Sequence, residues 1–132
     1  MEHITGTFDV KTLPQNADNK EAETAGVGRM SLDKQFHGEL EATSTGEMLY
    51  IGEQEAQAYV ALERVKGTLR GKSGGFVLYH VGTMTSAETT LTVKILNDSG
   101  TGDLKGISGT MTIRLESGRH FYDLDYSIPL GT

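Results

Sequence analysis

The chain has 132 residues and a mass of 14.3 kDa, enough for one domain that buries most of its apolar surface without disulfides or metal. Its net charge of −6 repels phosphate backbones, so we expect no nucleic-acid partner. The absence of cysteine excludes disulfides, thiolate nucleophiles and cysteine-bound metal clusters. No apolar run is long enough to span a bilayer and the amino terminus lacks a signal-peptide pattern, so we expect no membrane partner and a cytoplasmic location.

Apolar and polar residues alternate at the start of the chain, as in a strand that buries one face. Over residues 2–12, the side chains of Ile4, Phe8 and Val10 share one face. The segment 14–26 is polar and acidic, so we predict an exposed loop there.

A turn at residues 37–38 separates the next two predicted strands. The apolar face of the first strand also carries the charged Lys34. We expect Phe36 to pair with Leu40 across the turn, and a bulge near Gly46 would reverse part of the second strand. The residues of the second strand expected to point inward are Leu40, Ala42, Ser44, Met48 and Tyr50.

The clearest strand pair covers residues 56–70 and 76–85, which the sequence GKSGG separates. A helical turn is predicted only at 102–107, and the count of about eight strands predicts an all-β fold. Closure removes exposed sheet edges, which favours an eight-stranded antiparallel barrel, a single domain over residues 1–132. A two-sheet β-sandwich is the alternative. The remaining alternating segments are 91–96, 110–116 and 120–128.

The Gly-Lys-Ser sequence at 71–73 is shared with the end of phosphate-binding loops. Such a loop needs four residues between its glycines and a helix that begins at the Lys-Ser pair. Here Gly67 and Gly71 enclose three residues, and a strand pattern follows, so we predict a β-hairpin and no nucleotide cofactor. The glycines expected to supply positive φ angles are Gly71, Gly74 and Gly75.

Three motifs occur in order along the chain: FHGELEATSTGEML (36–49), ERVKGTLRGKSGGFVLYH (63–80) and SGTGDLKGISGTMTI (99–113). Together they resemble a bacterial family known as domain of unknown function 3224, which is grouped by fold with allene oxide cyclases and plant dirigent proteins. The resemblance covers nearly the whole chain and implies an eight-stranded antiparallel barrel. It implies no activity or catalytic residues, because kinship of fold does not transfer chemistry.

The predicted register across GKSGG points to polar residues inside the barrel. A four-residue turn at 71–74 makes Glu63 oppose Gly82, so that Glu63 and His80 are inward-facing diagonal neighbours. A buried carboxylate must be paired or protonated, and Lys34 on its own apolar face is the expected partner.

These positions predict a ligand-binding site at the polar end of a barrel cavity. The predicted members are Lys34, Glu63 and His80, with hydroxyls from Tyr50 or Tyr59. The alternative is a structural cluster that fixes the register of the strands and binds nothing.

Other polar residues predict ordinary surface. The basic run at residues 64–72 lies in an acidic chain and lacks stacked aromatic residues, so we interpret it as solvated exterior. His3, His37 and His120 lie near strand ends without the spacing of metal ligands, so we predict no metal site.

Three hypotheses for function follow. The first is a barrel that binds an apolar or amphipathic small molecule in its lumen. The second is a cyclase or isomerase in which Glu63 or His80 moves a proton. The third is a structural or interaction protein with a filled barrel that associates as a homodimer or homotrimer. The large residues whose packing decides between an open and a filled lumen are Phe8, Tyr59, Phe76 and Tyr122.

Overall fold

The computed structural model describes residues 1–129, which form nine strands and one short helix. Alternating sequence patterns produce the long strands, and glycine, asparagine or serine stands at most of the breaks. In chain order the elements are β1 Glu2–Gln15, α1 Lys20–Ala25, β2 Gly28–Gly38, β3 Leu40–Glu53, β4 Ala56–Leu69, β5 Lys72–Thr85, β6 Thr89–Ile95, β7 Thr101–Gly102, β8 Ser108–Glu116 and β9 Arg119–Ser127.

Eight of these strands close into an antiparallel barrel. The strand order is β1, β2, β3, β4, β5, β6, β8, β9, and β9 pairs with β1 again, with Ile4 opposite Leu124. The two-residue β7 pairs with β5 at Gly74 and Gly75 as an extra strand. The predicted eight-stranded barrel is therefore confirmed, and the sandwich is not the observed fold.

The closed part of the lumen is packed with apolar side chains. Phe8, Phe76 and Tyr122 are 4%, 1% and 0% exposed, so three of the four large predicted lumen residues belong to the core. The Tyr122 hydroxyl donates a hydrogen bond to the His37 carbonyl oxygen at 3.0 Å, which ties β9 to the end of β2. Large buried side chains therefore fill this part of the barrel, as expected for eight strands.

The connection between β6 and β8 plugs one end of the barrel. Leu104 and Ile107 on this connection are each 1% exposed and join the hydrophobic core. Consecutive turns support them, since Leu104 N donates to Thr101 O at 3.0 Å and Ile107 N donates to Leu104 O at 3.1 Å. The other end, where β3 joins β4 and β5 joins β6, has a cavity at its mouth.

The β4–β5 hairpin differs from the predicted register. A two-residue turn at Arg70-Gly71, with φ of 48° and 81°, joins the strands. Glu63 therefore opposes Leu78 instead of Gly82. The partner has shifted by an even number of residues, so the same side chains point inward and Glu63 remains diagonal to His80.

The predicted glycine roles in this hairpin are correct only at Gly71. Gly74 and Gly75 lie in β5 without positive φ. A Cβ at Gly74 would overlap the Thr101 carbonyl oxygen, and one at Gly75 would overlap the Val65 carbonyl oxygen. These two glycines are required by the close approach of neighbouring strands.

The β2–β3 pairing is also shifted from the prediction. Phe36 opposes Ala42 instead of Leu40, and the inward set is again preserved because the shift is even. Pairing continues without the expected bulge through Gly46, which opposes Leu32. A Cβ at Gly46 would overlap the Leu62 carbonyl oxygen, so this glycine permits close strand packing.

The predicted loop at 14–26 contains the helix α1. Ala22 N donates a hydrogen bond to the Asn19 side chain at 2.7 Å, and Gly26 ends the helix with a φ of 74°. The prediction missed both capping residues because the segment has no apolar periodicity. The predicted exposure is correct, since α1 contains no buried residue.

Candidate functional site

Four polar side chains are buried together on the inner face of β2–β5. Glu63 lies at their centre: its Oε2 accepts a hydrogen bond from Lys34 Nζ at 2.8 Å and lies 2.5 Å from His80 Nε2. Its Oε1 accepts a hydrogen bond from Ser44 Oγ at 2.7 Å. Every member is at most 6% exposed. We call Lys34, Ser44, Glu63 and His80 the Glu63 cluster.

The strand register explains why these residues meet. Lys34 opposes Ser44 across β2 and β3, and Glu63 opposes Gly46, the next inward position after Ser44. His80 is the next inward position after Leu78, the partner of Glu63. Diagonal neighbours on one face lie within reach of long side chains, so four adjacent strands bring their polar groups to one carboxylate.

The neighbours of Glu63 keep it ionised. Burial by itself raises its pKa, but the hydrogen bond with His80 and the positive charge of Lys34 lower it, so that the pKa of Glu63 is about 2. An ionised carboxylate only accepts hydrogen bonds, so the Nε2 atom of His80 carries the hydrogen that points at it. The cluster is therefore built around a buried anion with three donors.

Aromatic rings complete the surroundings of the Lys34 ammonium. Its Nζ atom lies 5.1 Å from the centre of the Phe8 ring and 5.9 Å from that of Phe36, within the range of cation–π attraction. Within residues 1–129, no buried side-chain nitrogen or oxygen lacks a hydrogen-bond partner. The cluster is thus satisfied by its own members, which suits a structural role.

An apolar cavity of about 620 Å³ occupies the open end of the barrel. Three methionines contribute to its wall, and polar side chains are confined to Gln57 and to threonines of β5 and β6 besides the two tyrosines. The lining residues within the described part of the chain include no charged side chain. They are Met30, Met48, Tyr50, Ile51, Gly52, Gln57, Ala58, Tyr59, Gly82, Thr83, Met84, Thr89, Thr90 and Leu91.

Two glycines hold the tyrosines of the cavity apart. Tyr50 on β3 and Tyr59 on β4 oppose each other. On its other side, Tyr50 opposes Gly28 of β2, and Tyr59 opposes Gly82 of β5. A Cβ at Gly28 would overlap the Tyr50 ring, and one at Gly82 would overlap the Tyr59 ring. Each ring therefore lies over a glycine on the strand away from the other tyrosine, which leaves space between them.

The cavity and the Glu63 cluster form successive layers of the same barrel wall. Glu63 lies two inward positions below Tyr59 on β4, and His80 lies one inward position below Gly82 on β5. Burial raises the pKa of the Tyr59 phenol, and the negative charge of Glu63 raises it further. The Glu63 cluster therefore lies directly beneath the cavity without being part of its lining.

Of the other histidines singled out in the sequence, His3 and His37 lie on the surface, whereas His120 is half-buried with its ring 5.0 Å from that of Phe8. His3 contacts Asp125 at 2.6 Å, and His37 contacts Asp9 at 3.0 Å. No group of three or more His, Cys, Asp or Glu side chains suited to hold a metal occurs in residues 1–129. None of the helices described there has the length and apolar character needed to cross a membrane.

Comparison with known proteins identifies the family. A family model described as a protein of unknown function, DUF3224, matches residues 4–126. The chain belongs to the DUF3224 family. A solved DUF3224 structure of unknown function from Shewanella oneidensis MR-1 is 45% identical, with a TM-score of 0.88, and the match covers 98% of this chain and 99% of that one. Among curated proteins no match was found.

In this DUF3224 protein the predicted site residues separate into two groups. Lys34, Glu63 and His80 meet in the buried cluster, whereas Tyr50 and Tyr59 lie in the cavity above it. Within residues 1–129 neither tyrosine hydroxyl donates a hydrogen bond to the cluster. The five residues are therefore close neighbours in two layers instead of one site.

Several residues of the DUF3224 site were missed by the sequence reasoning. Ser44 was predicted to point inward, but only the β3–β4 register brings its hydroxyl to Glu63. Met48 was also predicted to point inward, and it lines the cavity together with Met30. No pattern in the sequence marked Gly28 or Gly82 as supports for aromatic rings, because alternation says nothing about which way a ring leans.

Proposed function

We propose that this DUF3224 protein binds an uncharged, mainly apolar small molecule in the open end of its barrel. The observation that carries the proposal is the cavity of about 620 Å³ with its apolar, uncharged lining. Small-molecule sites typically measure about 300–1,000 Å³ and have apolar walls with a few polar groups. A charged ligand is disfavoured, because the lining residues offer it no counter-charge.

The lining suits a ligand with one polar edge. Met30, Met48 and Met84 supply flexible thioether side chains that adapt to irregular apolar shapes. Gln57 and Thr89 supply an amide and a hydroxyl beside the cavity, which suit a carbonyl or hydroxyl group of the ligand. We further propose that binding takes place in the cytoplasm, in line with a chain that contains no cysteine.

The cyclase or isomerase alternative has weaker support from the same geometry. A carboxylate with a pKa of about 2 is a poor proton acceptor at neutral pH, since an effective base titrates near the working pH. Both carboxylate oxygens of Glu63 are also already hydrogen-bonded, to Lys34, Ser44 and His80. The similarity of this protein's fold to those of allene oxide cyclases and dirigent proteins is likewise a proposal, which superposition of the barrels would test.

An uncharged dye tests the binding site. N-phenyl-1-naphthylamine becomes fluorescent in apolar surroundings, and we expect the wild type to bind it. Met48→Trp fills the cavity and is expected to weaken binding at least about tenfold, whereas the control Leu13→Trp, at an exposed position of β1 outside the cavity lining, leaves it unchanged. Equal binding by Met48→Trp and wild type would show that the dye binds elsewhere and would refute the proposal.

Native mass spectrometry identifies the natural ligand. Protein purified from its own host is measured intact, then denatured, and any released molecule is identified. Retention of one uncharged apolar molecule per chain supports the proposal, and its loss from Met48→Trp assigns it to the cavity. A ligand that Met48→Trp retains as the wild type does would contradict it.

A further inference from the structure

A band of apolar side chains covers the outside of the barrel across β3, β4 and β5. Leu49, Val60 and Val81 form one row across the three strands, and they are 42%, 49% and 47% exposed. Leu62 on β4 is 65% exposed and Ile51 on β3 is 45% exposed. Single exposed apolar residues are ordinary, but a contiguous patch marks an interaction surface. We call these five residues the outer apolar face.

Unpaired charges of opposite sign flank the outer apolar face along the strand direction. Arg64 lies four residues after Val60 on β4, and Glu53 pairs with Ala56, four residues before Val60. At about 3.3 Å per residue, each of these rows lies roughly 13 Å from the centre of the face. Lys66 and Glu55 extend the two ends. Within residues 1–129 these four charged side chains form no ion pair.

We propose that a second copy of this chain docks on the outer apolar face to form a symmetric dimer. The charges select the orientation. When the strands of the two copies run antiparallel, the acidic β3–β4 hairpin of each copy lies against Arg64 and Lys66 of its partner. A parallel arrangement would place like charges against each other, which opposes association.

The equal spacing of the charges about Val60 fits a two-fold axis in the plane of the interface. Two sheets that pack face to face align their strands within about 30°, which keeps the acidic and basic rows in reach of one another. Burial of the apolar residues supplies the affinity, whereas exposed charge pairs at the rim contribute little and set the register. A membrane surface suits this face less well, because the two acidic and two basic residues that flank it cancel and give anionic head groups no net attraction.

A charge placed on the axis tests the dimer. Val60 of one copy faces Val60 of the other, so Val60→Asp buries two like charges against each other and raises the dimer Kd about 100-fold or more. The matched control is Leu13→Asp, because Leu13 is also 49% exposed but lies on β1, outside the face. Both positions are half exposed, so both variants are expected to fold, which circular dichroism checks.

Sedimentation velocity over protein concentrations of about 1 to 100 μM measures the result. We expect wild type and Leu13→Asp to sediment at twice the 14.3 kDa chain mass and Val60→Asp at one chain mass. A wild type that is monomeric throughout this range, or an unchanged dimer in Val60→Asp, overturns the proposal. A monomer that co-sediments with anionic vesicles would assign the face to a membrane and overturn it equally.

Charge reversal tests the orientation separately. Arg64→Glu and Glu53→Arg each place like charges together in the antiparallel dimer and are expected to raise its Kd about tenfold. The double variant restores opposite charges and is expected to recover the wild-type Kd. Additive weakening in the double variant would overturn the antiparallel arrangement.

Discussion

The Lys34 ammonium and the Glu63 carboxylate lie 2.8 Å apart, although their strands, β2 and β4, are separated by β3. The contact between the two side chains crosses the inner face of β3 at Ser44, whose hydroxyl also donates a hydrogen bond to Glu63. Two buried charges repay the cost of their desolvation only in close contact, and a shift in the register of either strand would separate them. This contact therefore ties three strands of the barrel into one register.

Removal of the carboxylate charge should destabilise the fold. Glu63→Gln preserves the shape of the side chain but leaves the Lys34 ammonium buried without a counter-charge, so the free energy of unfolding should fall by about 3 kcal/mol. Urea denaturation measures this change. The exposed control Glu88→Gln, which lies outside the outer apolar face and its flanking charges, should change the free energy of unfolding by less than about 0.5 kcal/mol.

A second variant separates lost charge pairing from lost shape. Lys34→Met in the Glu63→Gln background removes the unpaired ammonium and should recover part of the lost stability. If the double variant is less stable than Glu63→Gln alone, the charge-pairing explanation is wrong.

The Glu63 cluster should make the free energy of unfolding depend on pH. Glu63 has an ordinary pKa of 4.5 and a folded-state pKa of about 2, so its ionised form stabilises the fold fully above pH 4.5. That contribution, on the order of 3 kcal/mol, is lost as the pH falls from 4.5 towards 2. Urea titrations over this pH range should show a steeper loss for wild type than for Glu63→Gln. Parallel curves for the two proteins would contradict the depressed pKa.

Gly82 should control the size of the cavity through Tyr59. A methyl group at position 82 overlaps the Tyr59 ring and drives it towards Tyr50, so Gly82→Ala should weaken binding of the naphthylamine dye at least about tenfold. Fluorescence titration measures the affinity. Gly118→Ala is the control for a glycine substitution away from the cavity: a Cβ there meets open space, so the change adds only the backbone strain of its positive φ of 77°. Unchanged affinity in Gly82→Ala would show that the ring position does not limit binding.

The two kinds of glycine in the β4–β5 hairpin should respond differently to alanine. Gly71 has a φ of 81° with open space around it, so Gly71→Ala should cost about 1 kcal/mol from backbone strain alone. Gly74→Ala forces a methyl group against the Thr101 carbonyl and should cost about 2 kcal/mol or more. Thermal unfolding of both variants measures the order. A larger loss in Gly71→Ala would show that β7 moves away at little cost.

Parts of the candidate site were predictable because the face to which a side chain points depends only on whether its position along the strand is odd or even. Lys34, Glu63 and His80 alternate with exposed or half-buried neighbours, and an error of an even number of residues in register leaves each on the inner face. The turn lengths were not predictable in the same way. Arg70 adopts a φ of 48° in the tight turn, a conformation that local sequence preference assigns to glycine or asparagine.

The sequence by itself determined the strands, the inward faces and the acidic exterior, because each follows from alternation and composition within one segment. Only the tertiary structure decided that Leu104 and Ile107 plug one end of the barrel while Tyr50 and Tyr59 lean apart at the other. Both features depend on contacts between residues far apart in the chain. Their positions follow from barrel closure and from glycines on neighbouring strands, which no local pattern encodes.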